Sequence, residues 1–151
     1  MKRVEDRFTS GFIAGFIGGV AMSALNLISY YLGITEILYL DWASVLIHGY
    51  RYATLLEAVI GQLGQLFFSA VVGVIFAYLL SVISSRYYLF KGWVYGLTVW
   101  FASYVITLLY NVTPLIPIKP DTVMSNIVTA SVYGLVLAES FRRLSNRNKV
   151  K

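Results

Sequence analysis

Charged residues are gathered into short clusters and leave four uncharged runs, at 8–35, 58–85, 92–118 and 122–138. About 20 consecutive apolar residues cross roughly 30 Å of hydrocarbon as a helix. The first three runs exceed that length, and the fourth, at 17 residues, is at the short limit. The pattern predicts transmembrane helices at about 10–32, 55–82, 92–112 and 122–140, within a single membrane domain covering 1–151. The expected fold class is all-α, an integral membrane four-helix bundle.

Two connections carry patterns of their own. Segment 33–53 is too charged to span a bilayer and too apolar to float free in water. At about 100° per residue, Asp41, Ser44, His48 and Arg51 share one arc while Leu38, Trp42 and Val45 occupy another, which predicts an amphipathic helix lying in the membrane interface. Segment 113–121 holds all three prolines, Pro114, Pro117 and Pro120, three residues apart. That spacing matches the polyproline II period and predicts a stiff strap about 19 Å long joining the third and fourth spans.

Charge then orients the bundle. With four crossings, both termini and the 83–91 turn share one side. That side carries Lys2, Arg3, Arg7, Arg86, Lys91, Arg142, Arg143, Arg147, Lys149 and Lys151, ten of the 12 basic residues, leaving Arg51 and Lys119 opposite. The positive-inside rule puts this side in the cytoplasm, so the expectation is a multi-pass protein of the bacterial cytoplasmic (plasma) membrane with both termini inside. The basic tail 141–151 then faces anionic lipid. The net charge of +5 is thus a topology signal. It does not point to nucleic acid, because no folded basic domain carries it. The first apolar run is also too long for a secretory signal core of about 7 to 15 residues. The chain has no cysteine, which excludes disulfides and thiolate chemistry.

Within lipid, helices associate through close approach at small residues and through polar hydrogen bonds. Gly15, Gly19 and Ser23 in the first span, Gly73 in the second, Gly96 in the third and Gly134 in the fourth are the expected packing positions. Gly15, Gly19, Gly73, Gly96 and Gly134 are all expected in the cytoplasmic half. Gly15, Gly19 and Ser23 also fit a GxxxG-type homodimer seam, with intramolecular packing as the slightly favoured alternative. Asn26, Gln62, Gln65, Asn111 and Asn126 fall in the outer half, with Glu57 just above them. Carboxamides facing lipid lose hydrogen bonds, so they are expected to face inward. Asn26, Glu57, Gln62, Gln65 and Asn126 therefore outline a candidate polar pocket, or else serve as hydrogen-bonded glue between helices.

Candidates for chemistry are weaker. Asp41, Ser44 and His48 have the residue types of a nucleophilic triad, but residues on one helix project in nearly parallel directions. Asp41, His48 and Arg51 read better as an outer charge cluster. No metal-ligand spacing appears among Glu36, Asp41, His48, Glu57 and Asp121. Neither a phosphate loop nor a dinucleotide fingerprint is present, so no cofactor is expected. Glu57 is expected to pair with Arg51 in the headgroup region, or else to be drawn into low dielectric with its pKa raised, and Glu139 to pair with Arg142 and Arg143.

A faint repeat sets Gly11 and Gly15 against Gly92 and Gly96, Gly73 against Gly134, and Gln65 against Asn126. Two hairpins of like orientation imply a pseudo-twofold axis along the membrane normal.

The glycine-rich first helix with "FIGG", "DWA" in the outer loop, "KGWVYG" opening the third span, and "LYNVTPLIPIKP" followed by "SNIVT" resemble the YqhR-type conserved membrane proteins of Firmicutes. That pattern carries a further proline before the loop tryptophan, which this chain lacks. The resemblance implies a four-span bacterial membrane protein and implies no activity. The functional expectation is a non-enzymatic packing or interaction module. Its partners would be membrane lipid and a second copy or another membrane protein. The alternative is a binder or conduit for a small polar solute or ion.

Overall fold

The computed structural model describes residues 6–83 and 86–149. Lys2, Arg3, Lys151, Ser84 and Ser85 lie outside the described residues, as do the side chains of Arg147 and Lys149. Five α-helices and one 3-10 turn follow in order: α1 Arg7–Tyr31, α2 Tyr39–His48, α3 Leu55–Val82, α4 Tyr88–Leu109, the turn Thr113–Leu115, and α5 Pro120–Lys149. Four of them, α1, α3, α4 and α5, are long and apolar enough to cross a membrane.

Local chemistry sets the helix boundaries. Asp6 caps α1 by accepting from the Thr9 amide at 2.9 Å. Thr54 and Glu57 form a reciprocal capping box at the start of α3, with the Thr54 amide donating to Glu57 at 3.1 Å and the Glu57 amide to Thr54 at 3.3 Å. Proline opens α5, where its missing N–H costs nothing. Gly49 closes α2 in the left-handed conformation, at φ +82°.

The spans form two antiparallel hairpins, α1 with α3 and α4 with α5, joined where α1 packs on α5. Each hairpin is seamed by glycines near the end where α1 begins and α5 ends. A Cβ placed on Gly15 would lie 2.9 Å from the Gly73 Cα, and one on Gly96 would lie 3.0 Å from the Gly134 Cα. One residue type with no side chain thus lets two backbones touch in both hairpins. The correspondence extends along the register. Gly11 meets Gly73 and Ala77 as Gly92 meets Gly134 and Ala138, and Gly15 meets the Ser69 carbonyl as Gly96 meets that of Ala130. The repeat read from the sequence is present in the packing.

Where α3 meets α4 and α5, long phenols bridge the gap. The Tyr95 hydroxyl donates to the Val72 carbonyl at 2.7 Å, and that of Tyr133 to the Ser69 carbonyl at 2.8 Å. Around them Phe76, Leu137, Ala138 and Phe141 make the buried core of this end.

Three expectations need correction. The prolines do not form a polyproline rod: Pro114 lies in the 3-10 turn, Pro117 follows a cis peptide, and Pro120 is already in α5. Buried Leu115 draws the turn in against α2, which an extended rod could not do. The fourth helix does not stop near 140 but continues to Lys149. Phe141 is buried and Leu144 partly so, which ties the extension to the core. Finally, α2 does not turn its polar arc to water. Asp41 and Ser44 are 0% exposed and lie against the bundle together with Leu38 and Leu40, while Leu46, 85% exposed, and Ile47 face out.

Candidate functional site

The polar side chains singled out by sequence converge at the α2 end of the bundle, in two linked groups. In the first hairpin, Ser23 of α1 donates to Gln65 Oε1 of α3 at 3.0 Å. Gln62 donates to Ser23 at 3.0 Å and to Gln65 at 3.2 Å, and Gln65 donates onward to Ser69 at 3.0 Å. Gly19 sits beside Ser69, so α1 and α3 are close enough for these short side chains to meet.

The second group joins the hairpins. Asn26 Nδ2 of α1 donates to Asn126 Oδ1 of α5 at 3.1 Å. Asn126 Nδ2 donates to the Tyr104 hydroxyl of α4 at 2.8 Å. Asn26 Oδ1 accepts from the Tyr39 amide at the start of α2 at 2.9 Å, and the Tyr39 hydroxyl donates to the Asn126 carbonyl at 2.8 Å. All four carboxamides are engaged with protein partners.

The repeat extends into this chemistry. Gln65 and Asn126 occupy equivalent positions, and each is tied to an equivalent partner on the preceding helix of its hairpin, Ser23 and Tyr104 respectively.

Above the amides lies a polar clasp. Arg51 donates from Nε to Asp41 Oδ1 at 3.1 Å and from Nη2 to Asp41 Oδ2 at 3.2 Å, while the Leu38 amide donates to the same carboxylate at 2.7 Å. Arg51 also holds the Glu36 carbonyl at 2.8 Å. Glu36 in turn bonds Lys119 through its side chain and Thr122 through its amide, which fastens the α1–α3 connection to the α4–α5 connection.

Not every candidate joins these groups. Glu57 stands apart from the amides and does not pair with Arg51. It accepts from the Ala53 and Thr54 amides and from the Tyr50 hydroxyl at 2.9 Å, and that last hydrogen bond, helped by the carboxylate charge, pushes the Tyr50 phenol up. His48 lies beside Tyr50, with ring centroids 5.9 Å apart and planes tilted by 34°, and does not enter the Asp41–Arg51 pair. Asn111 forms the positive-φ turn after α4, away from the network. Asp41, Ser44 and His48 share no hydrogen bond: Asp41 binds Arg51, and Ser44 Oγ and His48 Nε2 are buried without partners. Among the described residues no group of three or more metal-ligating side chains is assembled. At the opposite end, Glu139 pairs with Arg142 and Arg143, each at 2.7 Å.

Sequence reasoning missed the aromatic members. Tyr39, Trp42, Tyr104 and Trp100 form a continuous row, with successive centroids 5.9, 5.6 and 4.9 Å apart, and Trp42 Nε1 donates to Thr107 at 2.9 Å. Their equivalence to ordinary interfacial anchors in composition hid them. The only available signal was that Tyr104 falls opposite Ser23 in the repeat.

The family model for the conserved membrane protein YqhR matches residues 5–149, nearly the whole chain. No curated protein and no solved structure matches it. Four apolar spans in this order and a family match of that extent agree with the motifs in the first helix, the "KGWVYG" start of α4 and the proline segment. The chain belongs to the YqhR family of conserved membrane proteins.

Proposed function

We propose that this protein is a four-span module of the bacterial cytoplasmic membrane, with both termini in the cytoplasm, whose role is to pack with lipid and with another membrane protein or a second copy. The observation that carries this reading is the closure of the polar network. Asn26, Gln62, Gln65 and Asn126 spend their amide groups on one another and on Ser23, Ser69 and Tyr104. Groups so used hold helices together and leave no donor set arranged for a solute. The tight glycine seams at the other end support a stiff scaffold. Orientation rests on the clustering of ten of 12 basic residues at the end bearing the termini.

A test is chemical cross-linking in native membranes. The proposal expects one stoichiometric membrane partner or a discrete oligomer. Capture of nothing beyond lipid, under conditions that preserve the fold, overturns the module.

One observation favours the second reading, a binder or conduit for a small polar solute or ion. Ser44 Oγ and His48 Nε2 are buried polar atoms with no partner among the described residues, and such atoms cost stability unless something satisfies them. Solute flux into protein-bearing liposomes, lost on Gln65→Leu, would establish it.

A further inference from the structure

The exposed apolar edge of α2 has a physical requirement. A helix resting on a membrane surface turns its polar face to water. Here Asp41 and Ser44 are sealed against the bundle, while Leu46, Ile47 and Tyr50 point away from it. Leu55, Leu56 and Val59 at the start of α3 are exposed as well. In water such a surface is unfavourable by roughly 25 cal/mol per Å². Something apolar must cover it.

Depth along α3 indicates what. The Leu40 carbonyl and Ser44 lie over Gly61, and Ala43 and Ile47 over Gly64. At about 1.5 Å per residue, those glycines stand roughly 9 and 14 Å below Leu55. The 28 residues of α3 make a rod about 42 Å long, around 12 Å more than the hydrocarbon it crosses. Shared between the ends, that leaves about 6 Å of α3 outside the hydrocarbon at each, which suits Glu57 and its hydrogen-bonded partners. The contact line of α2 then falls some 3 to 8 Å inside the acyl layer.

Resting on the membrane-spanning reading, we infer that α2 is a partial-depth, membrane-inserted helix, and that its Leu46–Ile47 face is a contact surface for the acyl chains of phospholipid. Its polar groups are tolerated at that depth because the bundle satisfies the charged ones: Asp41 accepts from Arg51 and from the Leu38 amide. The Arg51 guanidinium bonds upward to the Glu36 carbonyl, at the level where headgroups begin. Helix α2 is therefore part of the membrane wall and not a cap standing in water.

The chain has no cysteine, so single reporters are clean. Leu46→Cys and Val59→Cys, each carrying a bimane label in phosphatidylcholine–phosphatidylglycerol vesicles, are quenched with doxyl groups on lipid acyl chains and separately with aqueous iodide. Phe101→Cys, exposed on α4, reports the spanning reading, and Glu36→Cys reports the aqueous side. The expected result is strong acyl-chain quenching and iodide protection at 46, 59 and 101, with the reverse at 36. Iodide quenching at 46 as strong as at 36, with 101 still lipid-quenched, overturns the insertion of α2 and leaves the spanning reading intact. Protection of 46 from both quenchers means that protein covers the face, and overturns the lipid contact. Aqueous access at 101 overturns the spanning reading itself.

Discussion

Asn26 and Asn126 are each other's partner across the junction between hairpins, with Asn26 Nδ2 donating to Asn126 Oδ1 at 3.1 Å, and neither amide stops there. The free oxygen of Asn26 receives the first amide of α2, and the free nitrogen of Asn126 reaches Tyr104 on α4. One pair of side chains therefore ties α1, α2, α4 and α5 into a single unit. Asn126→Ala leaves the Asn26 amide and the Tyr104 hydroxyl without those partners at buried positions. The expected loss is about 1–3 kcal/mol, at the lower end if lipid-facing alternatives are found in the unfolded state. Reversible unfolding in mixed micelles measures it, and a change under a few tenths would mean that the pair is dispensable.

Equivalence of the two hairpins predicts equivalent sensitivity. A Cβ on Gly73 would meet Gly15 Cα at 2.5 Å, and one on Gly134 would press against Gly92 and meet Gly96 Cα at 3.2 Å. In each case the obstacle is backbone, which cannot rotate out of the way. Gly73→Ala and Gly134→Ala are each expected to cost about 1–3 kcal/mol through separation of the helices. Gly64→Ala is the contrast, because a Cβ there meets the end of the flexible Ile47 side chain and the Ala43 methyl. A milder effect at 64 than at 73 and 134, read by thermal unfolding, is the expected ranking.

Much of this arrangement was legible because lipid simplifies the rules. Charge-free runs mark spans, glycines mark close approach, and amides must face one another. The pairings Gly15 with Gly73 and Gln65 with Ser23 follow from those rules once antiparallel hairpins are assumed. Direction was not legible for α2: periodicity shows that Asp41 and Ser44 share a face with each other but cannot tell which face meets protein. The prolines misled for a related reason. Their spacing describes a rod only if the residues between them stay extended, and Leu115 has a buried site to fill. Glu57 looked like a partner for Arg51 because both are charged and near, yet the unbonded amides at the start of α3 are nearer and must be satisfied.

Acid should loosen the start of α1. Hydrogen bonds from the Thr9 side chain and then its amide hold the exposed Asp6 carboxyl below its ordinary value of 3.8. A group whose folded value is depressed contributes stability that is complete above the unfolded value and is lost as pH falls through the folded one. Fraying of the first turn of α1 is therefore expected below about pH 4 and not above it. Protection of the Thr9 and Ser10 amides, measured relative to exchange in the unstructured chain, follows this, and Asp6→Asn should remove the pH dependence of that protection between about pH 5 and 3. A titration unchanged in Asp6→Asn assigns the effect elsewhere.

The Asp41–Arg51 clasp gives the most discriminating test, because its two partners differ in burial. Asp41 has a side chain 1% exposed, whereas that of Arg51 is 41% exposed. Removing the arginine strands a carboxylate inside the bundle with only the Leu38 amide for company. Breaking a fully buried pair costs about 3–5 kcal/mol, and the solvent-reaching arginine brings the expectation for Arg51→Ala nearer 2 kcal/mol. Asp41→Asn keeps an oxygen for Leu38 and removes the charge, so its cost should be smaller. The double variant should then resemble Asp41→Asn alone, since the arginine's contribution to this pair exists only while the carboxylate is charged. The loss should also be local, with faster amide exchange over Tyr39–His48 and little change in α4, because the clasp holds α2 while the glycine seams hold the spans. Additive single effects, or exchange spread evenly over all the helices, would show that the pair supports the whole bundle and not α2.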